Sequence, residues 1–168
     1  EGAVALHVSC DSLDGWNYEA SEKTGGVSAS ESIISVSAHA PDWKYVPVYG
    51  PHGTIEEWDA QWINSGSAWA EYPLDFPGKV KVTLKAKLSL RAFYDDRWGW
   101  GSSYAGVKVL VGGRWVDIYS LSSSQVPPGY GGTVWYNRVF RDEWRTLVVY
   151  GDIKGIRLEA RASGKHHE

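Results

Sequence analysis

Rings and charges crowd together in Tyr94-Asp95-Asp96-Arg97-Trp98-Gly99-Trp100-Gly101-Ser102-Ser103-Tyr104. Glycines at two positions mark this segment as a loop, which has few places to bury so many rings. A pyranose offers apolar C–H patches that stack on an aromatic face, and its hydroxyls pair with carboxylates and guanidinium. Rings with a few convergent polar groups are what a small-ligand site requires. Tyr94, Asp95, Asp96, Arg97, Trp98, Trp100 and Tyr104 are therefore candidate ligand-binding residues, with Trp43, Trp58 and Trp135 as a wider aromatic platform. The competing expectation is a lid, with Trp98 and Trp100 folded back over the end of the core.

A second cluster, Glu56-Glu57-Trp58-Asp59-Ala60-Gln61-Trp62, could carry acid–base chemistry. On a strand, Glu57, Asp59 and Gln61 share one face while Trp58, Ala60 and Trp62 share the other. Retaining glycoside hydrolysis needs two carboxyl groups about 5–5.5 Å apart. Gln61 can act as neither acid nor base, and no other acid follows in register. No catalytic residue is assigned, and the chain is read as a non-enzyme. His7, His39 and His52 are scattered without zinc spacing. No G-x-S-x-G elbow or phosphate-binding loop occurs. The row Lys79, Lys81, Lys85, Lys87 and Arg91 puts positive charge on one strand face. It reads either as a solvated, edge-protecting face or as a groove for an anionic polysaccharide.

These residues must be positioned by strands. From Lys79 to Phe93, Val80, Val82, Leu84, Ala86, Leu88, Leu90 and Ala92 alternate with Lys, Thr, Ser and Arg. Period two gives one dry and one wet face, hence a single long half-buried strand. Ile34, Val36, Ala38 and Ala40 alternate likewise, as do Ile156, Leu158, Ala160 and Ala162. Val107, Val109 and Val111 lead through Gly112-Gly113 to Trp115–Tyr119, the pattern of a tight hairpin. Thr133–Phe140 and Trp144–Tyr150 are further strand candidates, and no window shows helical periodicity. Roughly eight to ten strands predict an all-β fold, a two-sheet antiparallel β-sandwich of jelly-roll type. Residues 1–164 form one domain and 165–168 a terminal tail or linker.

Ten Trp and ten Tyr against three Phe place the aromatic excess in rings with a polar edge, suited to half-wet surfaces. A net charge of −3 gives no support to nucleic-acid binding. No apolar run reaches the roughly 20 residues of a membrane-spanning helix. The chain opens at Glu1 without Met, as after removal of a signal peptide or excision of a domain. Cys10 is alone and reads as a small buried hydrophobe. Absence of Met and scarcity of Asn and Gln predict a thermostable domain.

With those strands in place, the chain resembles jelly-roll modules of extracellular glycosidases and surface proteins. These are laminin-G or concanavalin-like sandwiches and related carbohydrate-binding modules. Asp11-Ser12-Leu13-Asp14-Gly15-Trp16, Gly25-Gly26-Val27-Ser28, Trp144-Arg145-Thr146-Leu147 and Gly155-Ile156-Arg157-Leu158-Glu159-Ala160 carry the likeness. Glu57-Trp58-Asp59 is similar to half of the E-x-D-x-x-E motif of concanavalin-like retaining glycosidases, but Trp62 stands where the last Glu would supply the proton. Lyases on this fold use His, Tyr and Arg, for which His39, Tyr45 and Arg91 are nominal candidates. The resemblance implies no cofactor beyond a structural calcium, for which no diagnostic Asp-rich loop is present. It implies non-catalytic binding of a polysaccharide or glycan by a secreted or cell-surface protein. The rival expectation is a structural subunit that self-assembles in a surface layer or filament.

Overall fold

The computed structural model describes residues 6–40, 44–49, 55–61, 63–95, 99–122, 136–140 and 143–166. Every regular element there is a strand: β1 (Asn17–Ala20), β2 (Gly25–Ser30), β3 (Ile33–Ala38), β4 (Lys44–Tyr49), β5 (Ile55–Gln61), β6 (Ile63–Pro73), β7 (Val80–Lys87), β8 (Leu90–Asp95), β9 (Gly99–Val111), β10 (Arg114–Ser122), β11 (Tyr136–Phe140), β12 (Trp144–Gly151) and β13 (Ile153–His166). The all-β expectation holds among the described residues. A seven-stranded sheet runs β1-β6-β13-β9-β8-β11, with β10 also paired to β9. Three two-stranded sheets, β12–β7, β2–β3 and β4–β5, complete the set. All pairings are antiparallel.

Alternation of side chains explains β7, where Val80, Val82 and Leu84 are half-buried, Ala86 is buried and the residues between them are exposed. The single strand expected from Lys79 to Phe93 is nevertheless two. The break falls at Leu88-Ser89, where the chain leaves its pairing with β12 and enters the seven-stranded sheet beside β11. Leu88 and Leu90 stay buried across the break. A chain bending from one sheet to another can keep the same flank on the shared core, so the change of partner leaves no mark in the alternation.

Turn chemistry is local and follows expectation at β9–β10. Gly112 and Gly113 take φ of 57° and 77°, as a two-residue hairpin turn with right-handed strand twist demands. The β2–β3 turn has the same form without glycine, Glu31 at φ 53° and Ser32 at φ 61°. Asp11 steadies that tip by accepting hydrogen bonds from Ser32 Oγ (2.5 Å) and Ser9 Oγ (3.0 Å), which hold its carboxyl below the usual carboxylate range.

The main core joins Ala86, Leu88, Leu90, Val107, Tyr119 and Leu121, with Leu84, Leu147, Ile156 and Leu158 packed against it. The inner face of β7–β12 thus rests on β9, β10 and β13. Leu74, Val109 and Ile153 form a second cluster beside Val80, Val82 and Val149. Each fully buried Leu, Ile or Val contributes about 1.5–3 kcal/mol. Lys165 and His166, expected to begin a terminal tail, continue β13 opposite Trp100 and Gly99.

Candidate functional site

The segment read as a ring-bearing loop is mostly a hairpin. Tyr94 and Asp95 end β8 and pair with Trp100 and Gly99 at the start of β9. Only residues 96–98 lie between the strands. Aromatic residues favour extended backbone, and antiparallel pairing outweighs the turn signal of two glycines. Asp96, Arg97, Trp98, Trp43 and Trp135 lie outside the described residues. Trp58 sits in β5 opposite Pro47, on the same strand as Glu57, Asp59 and Gln61. Arg91 belongs to β8, so the expected basic row is divided between two sheets.

Tyr104 belongs to a ladder of rings and cations on the solvent-side face of the seven-stranded sheet. One row across the strands reads Asp117, Lys108, Arg157, Glu71. The Arg157 guanidinium lies 4.8 Å from the Trp69 ring centroid and 5.8 Å from that of Trp115. It also pairs with Glu71. Arg161 and Lys108 stand 4.4 Å and 5.3 Å from the Tyr104 centroid. The Tyr104 hydroxyl donates to Asp117 Oδ1 at 2.5 Å. Burial, then this hydrogen bond and the Asp117 charge, push the phenol far above its ordinary range. Glu159 gathers Lys108 (2.7 Å), Arg161 (3.3 Å) and Arg157 (3.5 Å).

Three cations and three carboxylates balance in that ladder, and each group is engaged by another. Such a face carries little net field. Sequence reasoning reached Tyr104 and the alternation of Arg157, Glu159 and Arg161, but missed Trp69 and Trp115. They join the ladder only through cross-strand register.

The outer face of β7–β12 is of another kind. Register places Trp144 opposite Lys87, Thr146 opposite Lys85, Val148 opposite Thr83 and Tyr150 opposite Lys81. Trp144 is 52% and Tyr150 74% exposed, with Val148 also exposed between them. Lys87 Nζ lies 5.6 Å from the Trp144 centroid and Lys81 Nζ 5.9 Å from that of Tyr150. Lys79, Val80, Lys81, Tyr150 and Gly151 line a shallow depression of about 380 Å³ beside the second pair. Neither strand contains an acidic residue. Two ring–ammonium units therefore share one open surface, separated by about 20 Å of extended strand.

The lysines of this face were legible in sequence; the rings opposite them were not. Leu147, Val148 and Val149 form an unbroken apolar run that hides which positions face outward. The signal that could have found them is the parity of Trp144, Thr146, Val148 and Tyr150.

Among the described residues no group of three or more His, Cys, Asp or Glu is placed to hold a metal ion. Cys10 is half-buried. No described helix is long and apolar enough to cross a membrane. Comparison with known proteins found no matching family model, no matching curated protein and no matching solved structure.

Proposed function

We propose that this chain is a non-catalytic polysaccharide-binding domain of an extracellular or cell-surface protein, built as a β-sandwich of jelly-roll type. Packing of β7–β12 onto the seven-stranded sheet supports the sandwich. The observation that carries the binding reading is the open β7–β12 face, where Trp144 and Tyr150 expose large ring surfaces along one line. Stacking of a pyranose on each ring removes apolar surface from water at both partners. Thr83, Thr146 and the lysines supply hydrogen bonds to hydroxyls between the rings. On this reading the ligand lies on β7–β12, since the Tyr104 ring is already engaged by Arg161 and Lys108.

A self-assembling structural subunit also needs exposed rings. Lysine, however, is depleted from protein–protein interfaces, and here lysines stand directly beside the rings. The composition of the face favours a hydrated polymer over a second protein.

The test is a glycan array with the chain, run beside size-exclusion chromatography and followed by titration of Trp144→Ala and Tyr150→Ala. Each variant should lose about 2 kcal/mol or more of binding, roughly 30-fold in Kd, as ring anchors do. Because both side chains are largely exposed and each makes one ring–ammonium contact, stability should change by no more than about 1 kcal/mol. Unchanged glycan affinity in both variants, or a polymer that binds no glycan, would overturn the reading.

A further inference from the structure

We propose that the chain holds a second site, independent of the outer β7–β12 face. It lies between β10 and β12 and binds a small oxyanion, a carboxylate or sulfate group, through Tyr119 and Arg145. Both residues break the apolar pattern of the inward-facing surfaces. The dry flank of β12 carries Leu147 and Val149, which pack on the two core clusters. The residue that begins this row is Arg145, opposite the buried Ala86. Tyr119 stands in the main core among Ala86, Leu88, Leu90, Val107 and Leu121. It reaches the core through an irregularity of β10. Residues two apart on a regular strand share a face. Asp117, however, accepts from Tyr104 on the outer face while Tyr119 is turned inward, and the register shifts between them. Bulges of this kind re-aim a side chain.

The two side chains meet, with the Arg145 guanidinium 4.8 Å from the Tyr119 ring centroid. Tyr119 is 7% exposed, and its buried hydroxyl has no hydrogen-bond partner. Burying a hydroxyl without a partner is costly. Phenylalanine would give the guanidinium a ring to stack on without that cost. Ring–cation contact therefore explains Arg145 and leaves the hydroxyl unexplained. Arg145 is exposed, and among the described residues no carboxylate forms an ion pair with it, Glu143 two residues earlier included. A guanidinium has donors and no acceptor, and the phenol has a donor free. Donors without an acceptor are complemented by an oxyanion: the planar fork takes two of its lone pairs and the hydroxyl a third. Because the hydroxyl is buried, the anion enters as Arg145 lifts from the ring. That is a rotamer change of the kind an exposed side chain makes within nanoseconds.

The test is thermal melting of the full chain in sodium acetate and in sodium sulfate, against sodium chloride at equal ionic strength. Wild type, Tyr119→Phe and Arg145→Gln are compared. At least one of the two oxyanions should raise the wild-type midpoint above its value in chloride by about 3 °C or more, and the response tells which group the site takes. Both variants should lose that increment. A general salting effect is common to the three chains and cancels in the comparison. In chloride, Tyr119→Phe should melt at or above the wild-type temperature, since it removes an unpaired hydroxyl and keeps the ring. An equal increment in wild type and Tyr119→Phe overturns the proposal, as does a wild-type midpoint that responds to neither oxyanion. A lower midpoint for Tyr119→Phe in chloride also overturns it, by showing that the hydroxyl is already paired, with a buried water for instance. If Arg145→Gln fails to fold, the comparison of wild type with Tyr119→Phe decides alone.

Discussion

Gly106 is the position where the ladder on the seven-stranded sheet is most open to a single-atom test. Tyr104 precedes it by two residues on β9, so both face the same side, and the ring lies across the glycine. A Cβ built on Gly106 falls 2.6 Å from Tyr104 Cζ and 3.0 Å from Cε1, and the nearest atoms all belong to that ring. Gly106→Ala must therefore displace the phenol. Displacement loses the hydrogen bond to Asp117, about 1.5 kcal/mol to a charged acceptor near solvent. It also loosens the contacts with Arg161 and Lys108, about 0.5–1 kcal/mol each at an exposed site. Restricting the unfolded chain returns about 0.4–1 kcal/mol. The expected net destabilisation is about 1.5–3 kcal/mol. In a Tyr104→Ala background the obstacle is gone, and the same substitution should be neutral or stabilising by up to about 1 kcal/mol. Urea unfolding of the four chains closes a double-mutant cycle whose coupling should be about 3 kcal/mol. An equal cost of Gly106→Ala in both backgrounds would show that the clash is with backbone and that the ring does not cover the glycine.

Leu121, 1% exposed in the main core, should cost about 2–5 kcal/mol as Leu121→Ala, whereas Lys85→Ala should stay within about 0.5 kcal/mol; similar losses in urea melts would contradict the two-faced reading of these strands. Glu31 sits at positive φ without the freedom of glycine. Glu31→Gly should therefore stabilise the β2–β3 turn by about 0.5–1 kcal/mol, and a lower denaturation midpoint would refute strain there. The Tyr104 phenol is held neutral in the fold above its ordinary value of 10.0. Its contribution to stability is full below pH 10 and is lost as pH rises toward the folded value. Phenolate absorbance should thus show no Tyr104 signal up to about pH 11, and Tyr104→Phe should leave the titration amplitude in that range unchanged; a drop of one tyrosine equivalent would remove the argument.

Much of this protein is written in local pattern. Period-two alternation marks the dry and wet sides of β7 and β13 because side-chain direction in a strand depends only on the neighbouring residues. Gly112-Gly113 announces its hairpin because the turn demands positive φ at those two residues. The lysines of β7 are likewise visible as one wet row. Partner choice is a different matter. Nothing between Lys79 and Phe93 betrays that the chain changes sheets at Leu88-Ser89, since the same flank stays buried on both sides of the bend. The two glycines after Trp98 suggest a loop, yet pairing with β8 draws Gly99 and Trp100 into a strand. Trp69, Trp115 and Arg157 meet only because β6, β10 and β13 fall into one register with β9 between β13 and β10. Trp144 and Tyr150 come to stand beside Lys87 and Lys81 for the same reason. Alternation is a property of one strand and can be read along it. A surface made of two strands depends on which residue lies opposite which, and hydrogen-bond register between distant segments decides that only when the chain has folded.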